Sequence, residues 1–186
     1  MILFYKIFHK ITELYADFKH ETYVKLCVAK GLKLGKNSVI RRNVNFGSEP
    51  FLIEIDDDSR IASGTTFVNH SGATVNLRKM EGYEDVRNFG RIKIGKNCAV
   101  GVNCVILQDV EIGDNCILGA NSVLSDSMPD NTVYGGNPAK YICDTEDYGD
   151  FLKKSTVSYP IGLENNRENL NQWLIKNLPE KYKPAR

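Results

Sequence analysis

Residues 94–129 read, in sixes, IGKNCA VGVNCV ILQDVE IGDNCI LGANSV LSDSMP. The first place of every six is aliphatic: Ile94, Val100, Ile106, Ile112, Leu118 and Leu124. In a chain that is 42% hydrophobic, six such hits in one frame have a chance of about half a percent. Glycine takes the second place four times (Gly95, Gly101, Gly113, Gly119), although the chain has only 15 glycines in 186 residues. The fifth place is small or slim, with Cys98, Cys104, Val110, Cys116 and Ser122, until Met128 ends the run. An amphipathic helix spaces its apolar residues by three and four, and a half-buried strand by two. A strict six is neither. It suits a chain that turns a corner every six residues and closes a three-sided coil every eighteen. Each first-place aliphatic then points inward and stacks on the residue eighteen further on. Glycine is expected to relieve crowding or to supply unusual dihedrals at the corners, and the fifth-place residue to fill the remaining inner space.

The frame extends upstream less regularly. Leu34, Ile40 and Phe46 are six apart. A three-residue slip at Ser48–Pro50 resets the phase, and Ile55, Ile61, Phe67 and Ala73 resume it, with Ser59, Thr65 and Ser71 in the fifth place. About a dozen sixes make roughly four coils, a prism roughly 19 Å tall at a strand spacing of about 4.8 Å.

Over residues 31–142 the sequence resembles the hexapeptide-repeat acyltransferases, most specifically in IGDNCILGANSVLSDSMPDNTVYGGNPAKYI, which is similar to the family's closing coil and its proline-containing loop. The resemblance implies a mainly β protein, a left-handed parallel β-helix, the family's exception to right-handed crossovers. Three parts are expected. Residues 1–30 form an N-terminal helical cap. Residues 31–142 form the β-helix with an extended loop at 74–91. Residues 143–186 form a C-terminal extension with a helix over Glu164–Leu178, Leu170, Trp173, Leu174 and Leu178 on one face, Asn165 or Asn166 capping it, and Pro179 after its end. Solenoids need their open ends covered, so the helix at about residues 2–28 is expected to cap the prism.

Composition narrows the function. Twenty-four Lys and Arg against 23 Asp and Glu leave a formal charge of +1, with no overall pull toward nucleic acid or an anionic membrane. No run of 18 apolar residues marks a membrane span. The apolar start, MILFYKIF, lacks a preceding basic region, is interrupted by Lys6 and meets no small-residue cleavage site; it continues as Ile7, Ile11, Leu14, Tyr15 and Phe18 at helical spacing. A cytoplasmic protein is expected. The five cysteines include no CxxC pair, and their odd number argues for reduced thiols. Cys98, Cys104 and Cys116, all in the fifth place, are read as core fillers rather than nucleophiles or metal ligands. No P-loop and no dinucleotide glycine motif occurs.

Between Ala73 and Ile92 the frame breaks for the polar stretch TVNLRKMEGYEDVRNFGR. Such an insertion leaves the prism as a loop, and long loops on rigid scaffolds often carry function. Just before it lies Phe67-Val68-Asn69-His70-Ser71-Gly72. Of the three histidines, His9 and His20 fall on the N-terminal helix, while His70 sits at a corner beside the loop. The resemblance casts His70 as the general base of acetyl transfer to an alcohol, since an imidazole with an ordinary pKa near 6.5 can take the hydroxyl proton at neutral pH. Ser71 stands where similar proteins often have Asp. Asn69 is a candidate acceptor-binding or orienting amide. Asp56, Asp57, Asp58, Glu84, Asp85 or a backbone carbonyl could hold the other ring nitrogen.

The resemblance also implies an acetyl-coenzyme A donor lying in a groove between adjacent prisms of a homotrimer. By position, Val102, Ala120 and Ser125 would line it, and Lys140 would meet a phosphate. Ala99 stands where some members place an aromatic ring, and Asp126 where a lysine often follows. The expected activity is O-acetylation of a sugar hydroxyl in surface polysaccharide synthesis, with a carbohydrate acceptor, no metal and no nucleic acid partner. N-acetylation of an amino sugar or nucleotide sugar, and O-acetylation of serine or an antibiotic, are the alternatives, followed by a non-catalytic scaffold. A three-histidine zinc enzyme is disfavoured, because two of the three histidines lie in the N-terminal helix.

Overall fold

In the computed structural model, which describes residues 1–158 and 160–178, the chain winds as the sixes require. Helix α1 (Ile2–Ala29) leads into four coils. The first holds β1 (Lys33–Leu34) and β2 (Val39–Ile40), the second β3 (Ile53–Ile55), β4 (Arg60–Ile61) and β5 (Thr66–Val68). After the insertion, with its short helix α2 (Thr74–Leu77), come β6 (Ile92–Ile94), β7 (Ala99–Val100) and β8 (Val105–Leu107). The fourth coil holds β9 (Val110–Ile112), β10 (Ile117–Leu118) and β11 (Val123–Leu124). The strands stack in parallel on three walls: β1, β3, β6 and β9 on the first; β2, β4, β7 and β10 on the second; β5, β8 and β11 on the third. The strand β12 (Thr132–Gly136) continues the second wall in parallel, then turns at Asn137 and Pro138 into the antiparallel β13 (Ala139–Asp144). The proline-containing segment is therefore a hairpin that finishes the wall rather than a loop.

Register explains the repeat. Val100 lies over Ile61 and under Leu118; Ile106 lies over Phe67 and under Leu124; Ile94 lies over Ile55 and under Ile112. All nine are at most 3% exposed, and full burial of such a side chain is worth about 1.5–3 kcal/mol. The two breaks in the frame show as register steps. Leu34 pairs with Ile55, 21 positions on, so the slip adds three residues to a coil of eighteen. Ile55 pairs with Ile94, 39 positions on, so the insertion adds 21. It therefore begins earlier than expected: Ala73 is exposed beside α2 and Ser71 is only half-buried, so neither takes an inner place.

The corners differ from the expectation in one respect. Left-handed backbone falls on the fourth place of the six, at Asn97, Asn103, Asn115 and Asn121, with φ between 53° and 58°. Asparagine adopts this region with little strain. The second-place glycines serve closeness instead: a Cβ on Gly101 would lie 2.5 Å from the Ala120 nitrogen on the next coil. Fifth-place side chains do more than fill space. Ser59 Oγ donates to Gly95 O (2.7 Å), Cys98 Sγ to Gly113 O (2.9 Å) and Cys104 Sγ to Gly119 O (3.1 Å). Each answers a corner carbonyl of the coil above, which otherwise would be buried without a partner.

The last turns of α1 cover the open end of the first coil. Cys27 is buried, the Tyr23 ring stacks on Phe46 (6.1 Å between centroids) and Phe46 on Phe67 (5.2 Å), and Phe46 N donates to Tyr23 Oη. Residues 1–145 make up one unit; residues 146–186 form a second. Across this boundary runs α3 (Thr145–Ser155), which the sequence reading did not anticipate, and the second unit also holds α4 (Arg167–Asn177). Asn166 caps α4 by accepting from the backbone of Glu168 and Asn169; Leu170, Trp173 and Leu174 are half-buried, while Leu178 lies past the helix end, exposed. Pro179 lies outside the described residues.

The corner asparagines carry a direct test. Among the described residues Asn121 makes no side-chain hydrogen bond and its φ is 58°, so Asn121→Ala should cost about 1–2 kcal/mol in urea unfolding and Asn121→Gly much less. Equal losses would show that the side chain, not the dihedral, matters.

Candidate active site

The slip and the insertion fall on the same corner of consecutive coils, where the third wall gives way to the first. The slip brings Gly47 into the left-handed region (φ 68°) and ends in a 3-10 turn at Pro50–Leu52, which places Glu49 on the corner. One coil on, β5 runs straight into Asn69 and His70. The Nδ1 of His70 lies 2.8 Å from Glu49 Oε2 and 3.3 Å from Asn69 Oδ1. Both neighbours can accept, an arrangement that favours the proton on Nδ1 and leaves Nε2 facing outward. No partner for Nε2 occurs among the described residues. Ser48 Oγ donates to the same Glu49 oxygen at 3.0 Å, holding the carboxylate in place.

The neck of the insertion closes over this pair. Ser71 N donates to Asn88 O, and Gly90 N to Asn69 O, so the two ends run antiparallel with His70 opposite Phe89. The Phe89 ring sits 5.6 Å from the imidazole at a tilt of 37°. His70 is thus fixed on three sides, by a carboxylate, an amide oxygen and a ring, with its remaining edge open.

Asn69, read as an acceptor-binding or orienting amide, has a placement that suits the second role. It is 1% exposed, and its Nδ2 donates to Phe46 O (3.2 Å) and Glu49 O (2.8 Å). It ties the slip to the histidine from inside the wall, which is an orienting task and leaves no donor for an acceptor. Glu49 was not among the carboxylates read as partners. Those lie elsewhere: Asp57 Oδ1 accepts from Lys36 N, Asp58 Oδ1 from Asn37, and Glu84 Oε1 from Gly82 N within the loop. The signal that could have found Glu49 is the slip itself, because a break one coil before the histidine lands beside it.

The four residues proposed for the donor form two groups. Val102 and Ala120 are exposed and stack on the corner between the second and third walls, where Asn121 N donates to Val102 O. Ser125 lies at the far edge of the third wall, where its Oγ donates to Asp126, and Asp126 pairs with Lys140 at 3.5 Å. Between the two corners the outer side of the third wall is apolar, with Val68, Val105, Leu107 and Val123 half-buried. The first wall is the opposite: Lys33 pairs with Glu54 (2.7 Å) and Lys93 with Glu111 (2.9 Å), and Lys33 holds the Glu54 carboxyl below its ordinary range.

The cysteines do not compete for the chemistry. A hydrogen bond to Cys116 and burial push the Cys98 thiol up, and burial pushes up that of Cys104; the same hydrogen bond from Cys98 pulls Cys116 down, but Cys116 is 1% exposed and out of reach of a substrate. A protonated, buried thiol is a poor nucleophile.

Comparison with known proteins agrees with the repeat. Residues 91–126 match the family model described as bacterial transferase hexapeptide (six repeats). Protein CapG of Staphylococcus aureus is 50% identical over 103 residues, which are 55% of this chain and 59% of CapG, so the match spans less than two thirds of that relative. The fold is like that of a maltose O-acetyltransferase from Clostridium difficile 630 (TM-score 0.55, 21% identity, 73% of this chain and 83% of that one). It is also like a hexapeptide-repeat acetyltransferase from Vibrio cholerae (0.53, 22%, 67% and 80%). A galactoside acetyltransferase in complex with coenzyme A gives 0.52 at 27% identity, over 66% of this chain and 64% of that one. The resemblance read from the sequence therefore holds: this is a hexapeptide-repeat chain with the fold of solved acetyltransferases.

The thiol assignment predicts a count. In the native protein only Cys143, half-buried and away from the coils, should react with a disulfide dye such as DTNB, and the other four should react on unfolding. A second fast thiol before unfolding would overturn the reading of the fifth place as core.

Proposed function

We propose that this chain is an acetyl-coenzyme A-dependent O-acetyltransferase that acts on a sugar hydroxyl, in the making of a capsule or another surface polysaccharide. The observation that carries the reading is the imidazole of His70, held through Nδ1 by Glu49 and open at Nε2 on an accessible corner. The capsule assignment draws on CapG, the sugar class on the maltose and galactoside enzymes, and the donor on the coenzyme A complex of the latter. The prism is taken to be left-handed, and residues 31–142 to carry the reaction, on the cytoplasmic side of the cell.

The donor supplies an activated acetyl thioester. Val102 and Ala120 suit it as small exposed residues that leave the corner backbone within reach, and Lys140 would exchange Asp126 for a phosphate. His70 does the proton work. Its Nε2 takes the proton of the acceptor hydroxyl as that oxygen attacks the thioester carbonyl, and the Glu49 carboxylate steadies the positive ring that results. The same nitrogen returns the proton to the departing sulfur, so the histidine ends as it began. A general base of this kind contributes about 100- to 10,000-fold. The apolar outer side of the third wall supports a homotrimer, in which a second copy covers Val105, Leu107 and Val123 and the donor groove forms between subunits.

His70→Ala should lower kcat/KM at least about 100-fold while the circular dichroism spectrum and oligomeric state stay as in the wild type. Glu49→Gln keeps a hydrogen-bond acceptor but loses the charge, and should cost about tenfold, mainly in kcat. Sugar, amino-sugar and serine acceptors assayed side by side identify the class. Retention of more than about a tenth of the rate by His70→Ala would remove the general-base role.

A further inference from the structure

The first four turns of α1, residues 2–15, are exposed throughout. Phe4, Ile7, Phe8, Ile11, Leu14 and Phe18 are between 53% and 69% exposed. At about 100° per residue they lie on one side of the helix, in a stripe about 140° wide when Leu3 and Tyr15 are added. The opposite side faces the prism. Arg42 of the first coil pairs with Glu13 (2.9 Å) and Asp17, His20 Nε2 bonds Ile40 O (2.8 Å), and Tyr23 and Cys27 pack on the core. The apolar stripe thus points away from its own domain.

Charge identifies what covers it. The only acids in the first twenty residues are Glu13 and Asp17, and Arg42 neutralises both on the prism side. Lys10 borders the stripe on one edge and Lys19 on the other, with Lys6 behind. An apolar, phenylalanine-rich stripe edged by lysines is the pattern of a helix lying in a lipid interface, its rings among the acyl chains and its ammonium groups at anionic headgroups. A second copy fits less well. A coiled-coil seam is narrow and is flanked by charges of both signs that pair across it, whereas here the positions beside the seam are Leu3, Phe8 and Tyr15, and the outer charges all repel one another. No helix among the described residues is long and apolar enough to cross a membrane, so the helix would lie on the surface. We infer that residues 2–19 of α1 bind an anionic lipid surface in the plane of the interface and hold the β-helix against it.

Co-sedimentation of the full chain with vesicles tests this, using phosphatidylcholine alone and phosphatidylcholine with about a third phosphatidylglycerol. The wild type should pellet with the anionic vesicles. Ile7→Glu/Leu14→Glu should weaken partitioning at least about tenfold, with an unchanged circular dichroism spectrum, since both side chains are exposed. Lys10→Glu/Lys19→Glu should weaken binding to the anionic vesicles and leave the weaker binding to neutral ones as it was. A wild type that stays in the supernatant, or an unaffected Ile7→Glu/Leu14→Glu variant, overturns the inference. So does an Ile7→Glu/Leu14→Glu variant that loses subunits in sedimentation equilibrium while the wild type ignores lipid, because the stripe would then belong to a second copy.

Discussion

Each coil has to bring the chain back over itself after three corners, and the second-place glycines Gly95, Gly113 and Gly119 turn their carbonyls toward the interior. The fifth-place hydroxyls and thiols answer that demand. Ser59, Cys98 and Cys104 each donate to the glycine carbonyl one coil up, and all three are buried. An aliphatic residue of the same size would fill the space and leave the carbonyl unpaired, at a cost of about 1–3 kcal/mol per corner. The fifth place is therefore small for packing and polar for hydrogen bonding at once. Cysteine meets both needs while keeping the character of a small hydrophobe, which accounts for three cysteines in the fifth place.

The same closure rule locates the candidate site. A regular coil offers only short corners, too tight to present a carboxylate and an imidazole to one another. Extra residues are tolerated only at corners, where they can leave the wall without displacing an inward side chain. Both additions to the six use one corner, and the register returns after each: Ile55 settles over Leu34, and Ile94 over Ile55, whereas the last coil is two residues short and sets Met128 beside Ile112. Three added residues suffice to aim Glu49, and 21 bring Phe89 back across His70. The buried amide of Asn69 links the two, donating to the backbone of Phe46 and Glu49 from beneath. The site is rigid because it hangs from walls that are already closed.

Much of this was legible in the sequence, and the limits have physical causes. First-place aliphatics announce the coils because burial tolerates no polar substitute, and the slip and insertion were visible as losses of phase. His70 could be singled out because it stands where the phase fails. Glu49 was missed because it precedes the histidine by a full coil, and pairing across coils depends on how far a slip displaces a corner, which periodicity does not state. The corner asparagines were read past in favour of glycine: both tolerate left-handed backbone, and only the register of the coils shows that the glycines are needed for closeness instead. Ala73 continued the apolar frame by chance, since an alanine at the surface costs little. Helix α3 escaped notice because it has no buried residue to set a periodicity, although Glu146 and Asp147 in its first turn and Lys153 and Lys154 in its last are the charges a helix favours.

The outside of the prism obeys a different logic from the inside. Every inward place must suit its neighbours above and below, whereas the outward places are free, and here they diverge wall by wall. Alternating Lys33, Glu54, Lys93 and Glu111 make the first wall a ladder of opposite charges that satisfies itself and invites no partner. The third wall, with valine and leucine at the equivalent places, is only half covered by its own chain. On the proposed reading this wall lies between the donor corner and the His70 corner, so a partner that buried the valines would also shut water out of the space between them, a gain that the self-paired charges of the first wall do not offer.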